Sequence, residues 1–395
     1  MRRILPTLLL VTLLCGLAGV AHAWQTERVV LVLIDGLRYS EGLGDPDHVH
    51  VPAMAALAGQ GAIVEPFQNL GVTYTDHAVP SVWCGGYTDI FSFSDPDCGG
   101  SSNNYTELPS LFEYFRKQLD RPETDCVYVL KDVGCPWRGS MHPDYGPDWW
   151  PLYHMAGSSD TDVWNQAQSV LQNESPTLMF LYLADVDHYG HSGNWTNYLS
   201  AIDTADAIVG DLWTLLQSLP AYAGKTTLLV TNDHGRHDYD FSGHGDGCAG
   251  CRTIQLLAVG PDVKTGFVST TPRDIPDVTP TIAALLGFQT EYATGAVMDE
   301  LLVETAAELP AGGGPALAAW PNPLRASTTL RLALADARPH TIEIVDVAGR
   351  RVDRLDLPAG ITQLTWTPPA DLASGVYLAR VAGQGDAARA LVVLR

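Results

Sequence analysis

Three of the most apolar runs in this chain end directly on a carboxylate or an Asp-His step, and that pairing constrains the fold more than any other feature. Residues 29–34, 177–184, 226–231 and 253–259 are near-continuous apolar and β-branched runs, the pattern of strands covered on both faces. Between the second and third lies residues 198–219, where Ile202, Ala205, Ile208, Val209, Leu212 and Leu216 recur at helical spacing. Strands alternating with helices predict an α/β domain on a mostly parallel sheet, with helices covering both faces. Residues 280–286 carry Pro280 in what would be a first turn and Gly287 just past the end, so they read as its last helix. In such sheets the carboxyl ends of the strands are where sites form. Asp35-Gly36 follows the first run, Asp185-Val186-Asp187-His188-Tyr189-Gly190-His191 the second and Asn232-Asp233-His234-Gly235 the third.

The rest of the chain divides by composition. Residues 1–23 read as a secretory signal: Arg2 and Arg3, an apolar stretch from Leu8, and an Ala21-His22-Ala23 cleavage site. No later stretch is long and apolar enough to span a bilayer, so no transmembrane anchor is expected after cleavage. Residues 24–308 form the α/β domain, and 309–319 a linker around Pro310-Ala311-Gly312-Gly313-Gly314-Pro315. In residues 320–395 short runs at 328–334, 341–347, 363–366, 376–381 and 390–394 alternate with Gly349, Gly360 and Gly375, which predicts a small all-β sandwich. The 10 Trp, 15 Tyr and 9 Phe exclude a disordered chain. With 45 Asp plus Glu against 23 Lys plus Arg, a net charge of -22 excludes coating of nucleic acid. Six cysteines remain after signal removal. Cys84 and Cys98, Cys126 and Cys135, and Cys248 and Cys251 fall as three close pairs that read as local disulfides, with half a zinc site or a redox motif as the rival for Cys248-Ala249-Gly250-Cys251.

Two loop motifs, Thr73-Tyr74-Thr75-Asp76-His77 and Gly243-His244-Gly245, complete a set of five that offers Asp and His ligands in chain order. Split over several strand ends, these donors match a two-metal site for borderline cations such as zinc. A hydroxyl is a poor nucleophile at neutral pH, and coordination to a divalent cation is the activation it needs.

These residues resemble the alkaline phosphatase superfamily, especially its nucleotide pyrophosphatase/phosphodiesterase and sulfatase-like branches, over nearly all of residues 24–308. The resemblance implies that Asp35, Thr75, Asp233 and His234 hold one metal and Asp187, His191 and His244 the other, with His237 as the rival of His244. It implies an exported hydrolase of phosphoric esters working through a phosphothreonine at Thr75, which stands ten residues before Gly85 at a helix start. Two divalent ions, zinc by ligand type, would be the cofactors. Asp76-His77-Ala78 follows Thr75 where the phosphodiesterase branch usually has Phe-Pro-Asn, and no Cys or Ser stands in the C-x-P-x-R setting that sulfatases modify. Acids crowd the motif loops, which favours a phosphodiester over a dianionic monoester. A phosphomonoesterase, a phosphoethanolamine-type transferase and a non-catalytic surface-binding protein stay open as alternatives. His188, His77 and Asp185 read as supporting or solvated neighbours, Ser81 as a surface hydroxyl, and Lys131, Arg138, Arg236 and Arg252 as cations that could touch a phosphoryl oxygen.

The second domain resembles the sorting module of the type IX secretion system and the related hook-capping sandwich. The matching residues are Trp320-Pro321-Asn322-Pro323, Val345-Asp346-Val347-Ala348-Gly349-Arg350, Thr365-Trp366, Ala373-Ser374-Gly375-Val376-Tyr377 and the terminal Leu391-Val392-Val393-Leu394-Arg395. The resemblance implies the export machinery as a partner, and a secreted or cell-surface location.

Overall fold

The computed structural model describes residues 24–94, 102–131, 139–303, 316–320, 324, 327–333, 338–359, 363–382 and 388–393. The expected signal, residues 1–23, therefore lies outside the described residues. The chain forms two compact units, residues 1–303 and 304–395.

The first unit is built on one eight-stranded sheet. Its strands are β1 (Arg28–Ile34), β2 (Ala62–Val64), β3 (Cys126–Leu130), β4 (Leu152–Met155), β5 (Leu178–Leu183), β6 (Thr226–Thr231), β7 (Leu256–Val259) and β8 (Phe267–Ser269), in the order β8-β2-β7-β6-β1-β5-β3-β4. β1 lies at the centre, parallel to β5 on one side and β6 on the other. Alternation along β1 feeds two cores: Val29, Leu31 and Leu33 face one side, Val30, Val32 and Ile34 the other, all buried. The helices are α1 (Pro52–Ala58), α2 (Thr75–Cys84), α3 (Leu111–Leu119), α4 (Asp160–Asn173), α5 (Asp185–His191), α6 (Trp195–Ser218), α7 (Ala249–Arg252) and α8 (Val278–Leu286). Residues of α2, α3 and α8 join the first core, and residues of α1, α4 and α6 the second. The expected helical face of 198–219 is the buried face of α6. Gly287 closes α8 at φ +82°, a conformation that favours glycine.

The run 253–259 is not one parallel strand. It breaks at Gln255, whose backbone N–H donates to Asn232 Oδ1 at 3.0 Å. Thr253–Ile254 pairs with Phe67–Gln68 in a small separate ladder, while β7 joins the main sheet antiparallel to β6. Residues 232–255 connect β6 to β7, and their one helix is the four-residue α7; most of this connection is spent on the loop that carries Asp233, His234 and His244 and not on a helix packed across the sheet.

In the second unit every strand pair is antiparallel. β9 (Ala316–Trp320), β10 (Thr328–Ala333) and β13 (Gln363–Trp366) form one sheet, in the order β9-β10-β13. β11 (His340–Asp346), β12 (Arg351–Leu357), β14 (Gly375–Val381) and β15 (Ala388–Val393) form the other, in the order β12-β11-β14-β15. Leu330, Leu332 and Trp366 of the first sheet share a core with Ile342, Ile344, Ala379 and Leu391 of the second. The expected linker, 309–319, ends inside β9, because Leu317 and Ala319 alternate into this core. β12 was not among the expected strands; its charged residues line an edge that only β11 pairs.

Among the described residues Cys84, Cys126, Cys248 and Cys251 are free thiols. The expected Cys248 to Cys251 bridge is therefore not formed. Cys98 and Cys135 lie outside the described residues.

Candidate metal centre

The centre assembles at the carboxyl ends of β1, β5 and β6. Asp35 is the first residue past β1, its N–H still bonded to Leu183 O at 2.8 Å. Asp187 and His191 lie on α5, which starts just past β5, and Asp233 and His234 follow β6. Thr75 opens α2. Tyr74 occupies the cap position and no side chain caps this helix, so the Thr75 hydroxyl is not spent on capping.

The seven expected residues come together. Thr75 Oγ1 lies 3.1 Å from His234 Nε2 and 3.5 Å from Asp35 Oδ1. His234 Nε2 is 3.4 Å from Asp35 Oδ1 and 3.3 Å from Asp233 Oδ2. Donor atoms of Asp35, Asp233 and His234 cluster within 4.8 Å of one another, and so do those of Asp187, His234 and His244. His234 thus belongs to both groups. His191 Nε2 reaches Asp187 Oδ2 at 3.3 Å and His244 Nε2 at 2.9 Å, and the His234 and His244 rings stack with centroids 3.9 Å apart.

The protonation of two imidazoles follows from their outer contacts. His234 Nδ1 faces Gly235 O at 2.9 Å and His244 Nδ1 faces Thr73 O at 2.9 Å. A carbonyl only accepts, so each Nδ1 carries the proton and each Nε2 turns a lone pair inward. Burial lowers the pKa of both rings to about 4, aided at His244 by its neighbour His234. Burial, then repulsion from Asp187, raises Asp233 to about 7, and Asp35 moves up for the same reasons, with Asp233 among its repelling neighbours. Asp187 opposes its own burial: contacts with His191 and Arg236 hold it below the usual carboxylate range. Asp233 Oδ2 is buried and accepts no hydrogen bond. Three carboxylates, the inward lone pairs of His234 and His244 and an orphaned buried oxygen form a donor set that suits divalent cations of the zinc type.

Several neighbours play parts that the sequence did not disclose. Tyr182 Oη donates to Asp35 Oδ2, and Asn69 Nδ2 donates to Asp233 O at 2.9 Å. Asn232 Nδ2 donates to Leu37 O and His234 O, both at 2.9 Å, tying β1 to β6 at the centre. Of the expected phosphoryl contacts, Arg236 is fully buried, its Nη2 donating to Asp187 Oδ1 at 2.5 Å and Asp187 O at 2.7 Å. A Cβ at Gly190 would run into that guanidinium, the physical reason for glycine before His191. Lys131 pairs with Asp185 at 2.5 Å, and Arg252 donates to Gly247 O and Asn69 O. Arg138 lies outside the described residues. Ser81 is buried, not at the surface, and donates to His77 O at 2.7 Å. His77 pairs with Asp76 at the surface, and His188 is exposed. His237 stands apart from this centre, beside Asp246, Cys248 and Cys251.

Comparison with known proteins bears on the family and the fold. The pattern of the type I phosphodiesterase / nucleotide pyrophosphatase family matches residues 29–248, and that of a secretion system C-terminal sorting domain matches residues 318–394. Two curated relatives are 2,3-bisphosphoglycerate-independent phosphoglycerate mutases. That of Gracilaria tenuistipitata var. liui is 25% identical over 32% of this chain and 24% of its own length; that of Desulforudis audaxviator is 31% identical over 29% and 21%. The chain thus spans less than a quarter of either mutase. Among solved structures, murine ectonucleotide pyrophosphatase / phosphodiesterase 5, as an inactive variant with AMP, is 14% identical with a TM-score of 0.52, covering 70% of this chain and 100% of that one. The phosphonate monoester hydrolase of Agrobacterium radiobacter is 12% identical with a TM-score of 0.51, covering 86% and 89%. Both share the fold.

Proposed function

Because the chain belongs to the type I phosphodiesterase / nucleotide pyrophosphatase family, within the alkaline phosphatase superfamily of metal-dependent hydrolases, we propose that it hydrolyses phosphoric diesters through a phosphothreonine formed on Thr75. The C-terminal sorting domain directs it to secretion or the cell surface. The observation that carries the reading is the Thr75 hydroxyl, free of any capping role, at the point where Asp35 and His234 converge.

Asp35, Thr75, Asp233 and His234 would hold one divalent cation and Asp187, His191 and His244 a second, with His234 near enough to both groups to orient each. Such cations, zinc by ligand type, supply the positive charge that lowers the pKa of a hydroxyl and balances the phosphoryl oxygens. Thr75 Oγ1 attacks phosphorus, forming the Thr75 O–P bond as the bond to the leaving alcohol breaks. Water then attacks the same phosphorus, the Thr75 O–P bond breaks, and the hydroxyl is restored with release of a phosphate monoester. With His234 Nε2 and Asp35 turned to the cation, the two residues hold Thr75 Oγ1 in place, while solvent takes the Thr75 proton and protonates the departing alcohol. The carbonyl partners of His234 and His244 keep both rings in the tautomer whose Nε2 lone pair would face a cation.

Diesters are favoured by charge. A monoester carries close to two negative charges at neutral pH and a diester about one. Lys131 and Arg236 pair with Asp185 and Asp187, so these two expected cations are not free for the second charge, and Arg252 donates to the carbonyls of Gly247 and Asn69.

Thr75→Ala is expected to lower kcat by at least ~10³-fold with an unchanged circular dichroism spectrum, and the wild-type enzyme quenched in acid should yield a phosphorylated peptide containing Thr75. A folded variant that keeps most of its activity moves the nucleophile elsewhere. For p-nitrophenyl substrates, kcat/KM should be about tenfold higher for the diester than for the monoester, equivalent to ~1.4 kcal/mol. Equal rates would remove the charge argument.

A further inference from the structure

Beside the metal centre, the fold completes a half-site that the sequence left open. Cys248 and Cys251 have no second Cys or His pair at zinc-finger spacing. The loop after β6 folds back and supplies two ligands from elsewhere: His237 and Asp246 join them so that one donor atom of each lies within 4.8 Å of the others. Cys251 Sγ is 3.4 Å from His237 Nδ1 and 3.4 Å from Asp246 Oδ1, Cys248 Sγ is 3.8 Å from His237 Nδ1, and His237 Nδ1 is 3.0 Å from Asp246 Oδ1. Tetrahedral bonds of ~2.0 to 2.3 Å put ligand atoms about 3.3 to 3.8 Å apart. The three separations that involve sulfur fall in that range, and the His237 to Asp246 pair, at 3.0 Å, is slightly tighter. Neither sulfur is in a disulfide.

The backbone holds this arrangement without help from a cross-link. His237 N–H donates to Gly243 O and Gly235 N–H to Cys251 O, each at 2.9 Å. Gly247, at φ +68°, makes the turn between Asp246 and Cys248, and Asp246 Oδ1 accepts from Cys248 N–H at 2.9 Å. The ring of Tyr239 stacks on His237, with centroids 5.0 Å apart.

We propose that His237, Asp246, Cys248 and Cys251 bind a structural zinc ion, separate from the two cations of the phosphoryl centre. Two thiolates, one imidazole and one carboxylate make a closed set of four with no open position, the mark of a structural rather than a catalytic site. Its position gives it a purpose. His244 lies between His237 and Asp246 in the chain, so one ion would tie together both ends of the segment that brings His244 to the phosphoryl centre. The inference does not depend on Thr75 being the nucleophile.

Sulfur distinguishes the two kinds of site, because the seven residues of the phosphoryl centre include no cysteine. The full chain, purified, thiol-reduced and stripped by chelation, is loaded with cobalt(II) and read for thiolate-to-cobalt charge-transfer absorption. The expected result is a band that saturates, that zinc removes, that persists in Asp233→Asn, and that is lost in Cys248→Ser/Cys251→Ser along with one metal equivalent per chain. Should the double variant fail to fold, alkylation of the wild type decides: zinc should block labelling of Cys248 and Cys251 until chelator is added. A Cys248 to Cys251 disulfide in the purified protein, no band in the reduced wild type, or labelling indifferent to zinc would each overturn the proposal.

Discussion

A buried carboxylate that lacks a donor at one oxygen and faces another acid holds its proton more tightly than one in water, and Asp233 is so placed. Its pKa, raised to about 7, makes zinc binding depend on pH. Below that value the proton must be expelled before a cation can be held, so affinity of the metal-stripped protein for zinc should fall by at least about tenfold for each pH unit below 7, ~1.4 kcal/mol per unit, and Asp35 and His191, which also move up, steepen the fall. His234 and His244, lowered to about 4, are neutral from pH 5 upward and add nothing to that slope. Competition titration at pH 6 and pH 8 measures it; equal affinities would place the coordinating charge elsewhere. The acids and histidines of this site were legible because each sits at a strand end or in a short motif with glycine. Tyr182, Asn69 and the burial of Arg236 were not, because each acts through a contact with a residue distant in the chain, which no local pattern records. His237 and Asp246 lie close to Cys248 and Cys251 in the chain and were visible as residues; the turn that brings the four together was not.

Helix α3 shows what an element costs when its cap is shared. Ser110 and Glu113 form a reciprocal capping box at its start, and Glu113 also accepts from Ser140 N–H, Ser140 Oγ and Gly146 N–H while fully buried. Glu113→Ala strands these donors in a dry setting, so it should cost about 3 kcal/mol or more in urea unfolding. Glu113→Gln, which keeps an acceptor, should cost less. A loss below ~1 kcal/mol for the alanine variant would mean that water replaces the carboxylate. At this scale the apolar face of α6 was readable from spacing, and α8 from Pro280 and Gly287 at its ends. The direction of β7 was not, since an apolar run looks the same in parallel and antiparallel strands, and the connection over residues 232–255 is long enough for either. β12 escaped notice because Arg351, Asp353, Arg354 and Asp356 make an edge strand look like a solvated turn.

The two units have separate cores, which predicts that a chain ended after Glu308 keeps its esterase activity while losing its route out of the cell. Purified fragment assayed beside the full chain, with fractionation of cells producing each, tests both halves; an inactive or insoluble fragment would make the sandwich part of the catalytic unit. Within the larger unit, the central strand β1 bonds to β5 and β6, about 150 and about 200 residues later in the chain. It is therefore among the first strands to be made and cannot be enclosed until nearly the whole unit exists. For all that time its two apolar edges stand open to any strand that passes. In an exported protein built this way the sheet of the larger unit closes late, after β6 has been made.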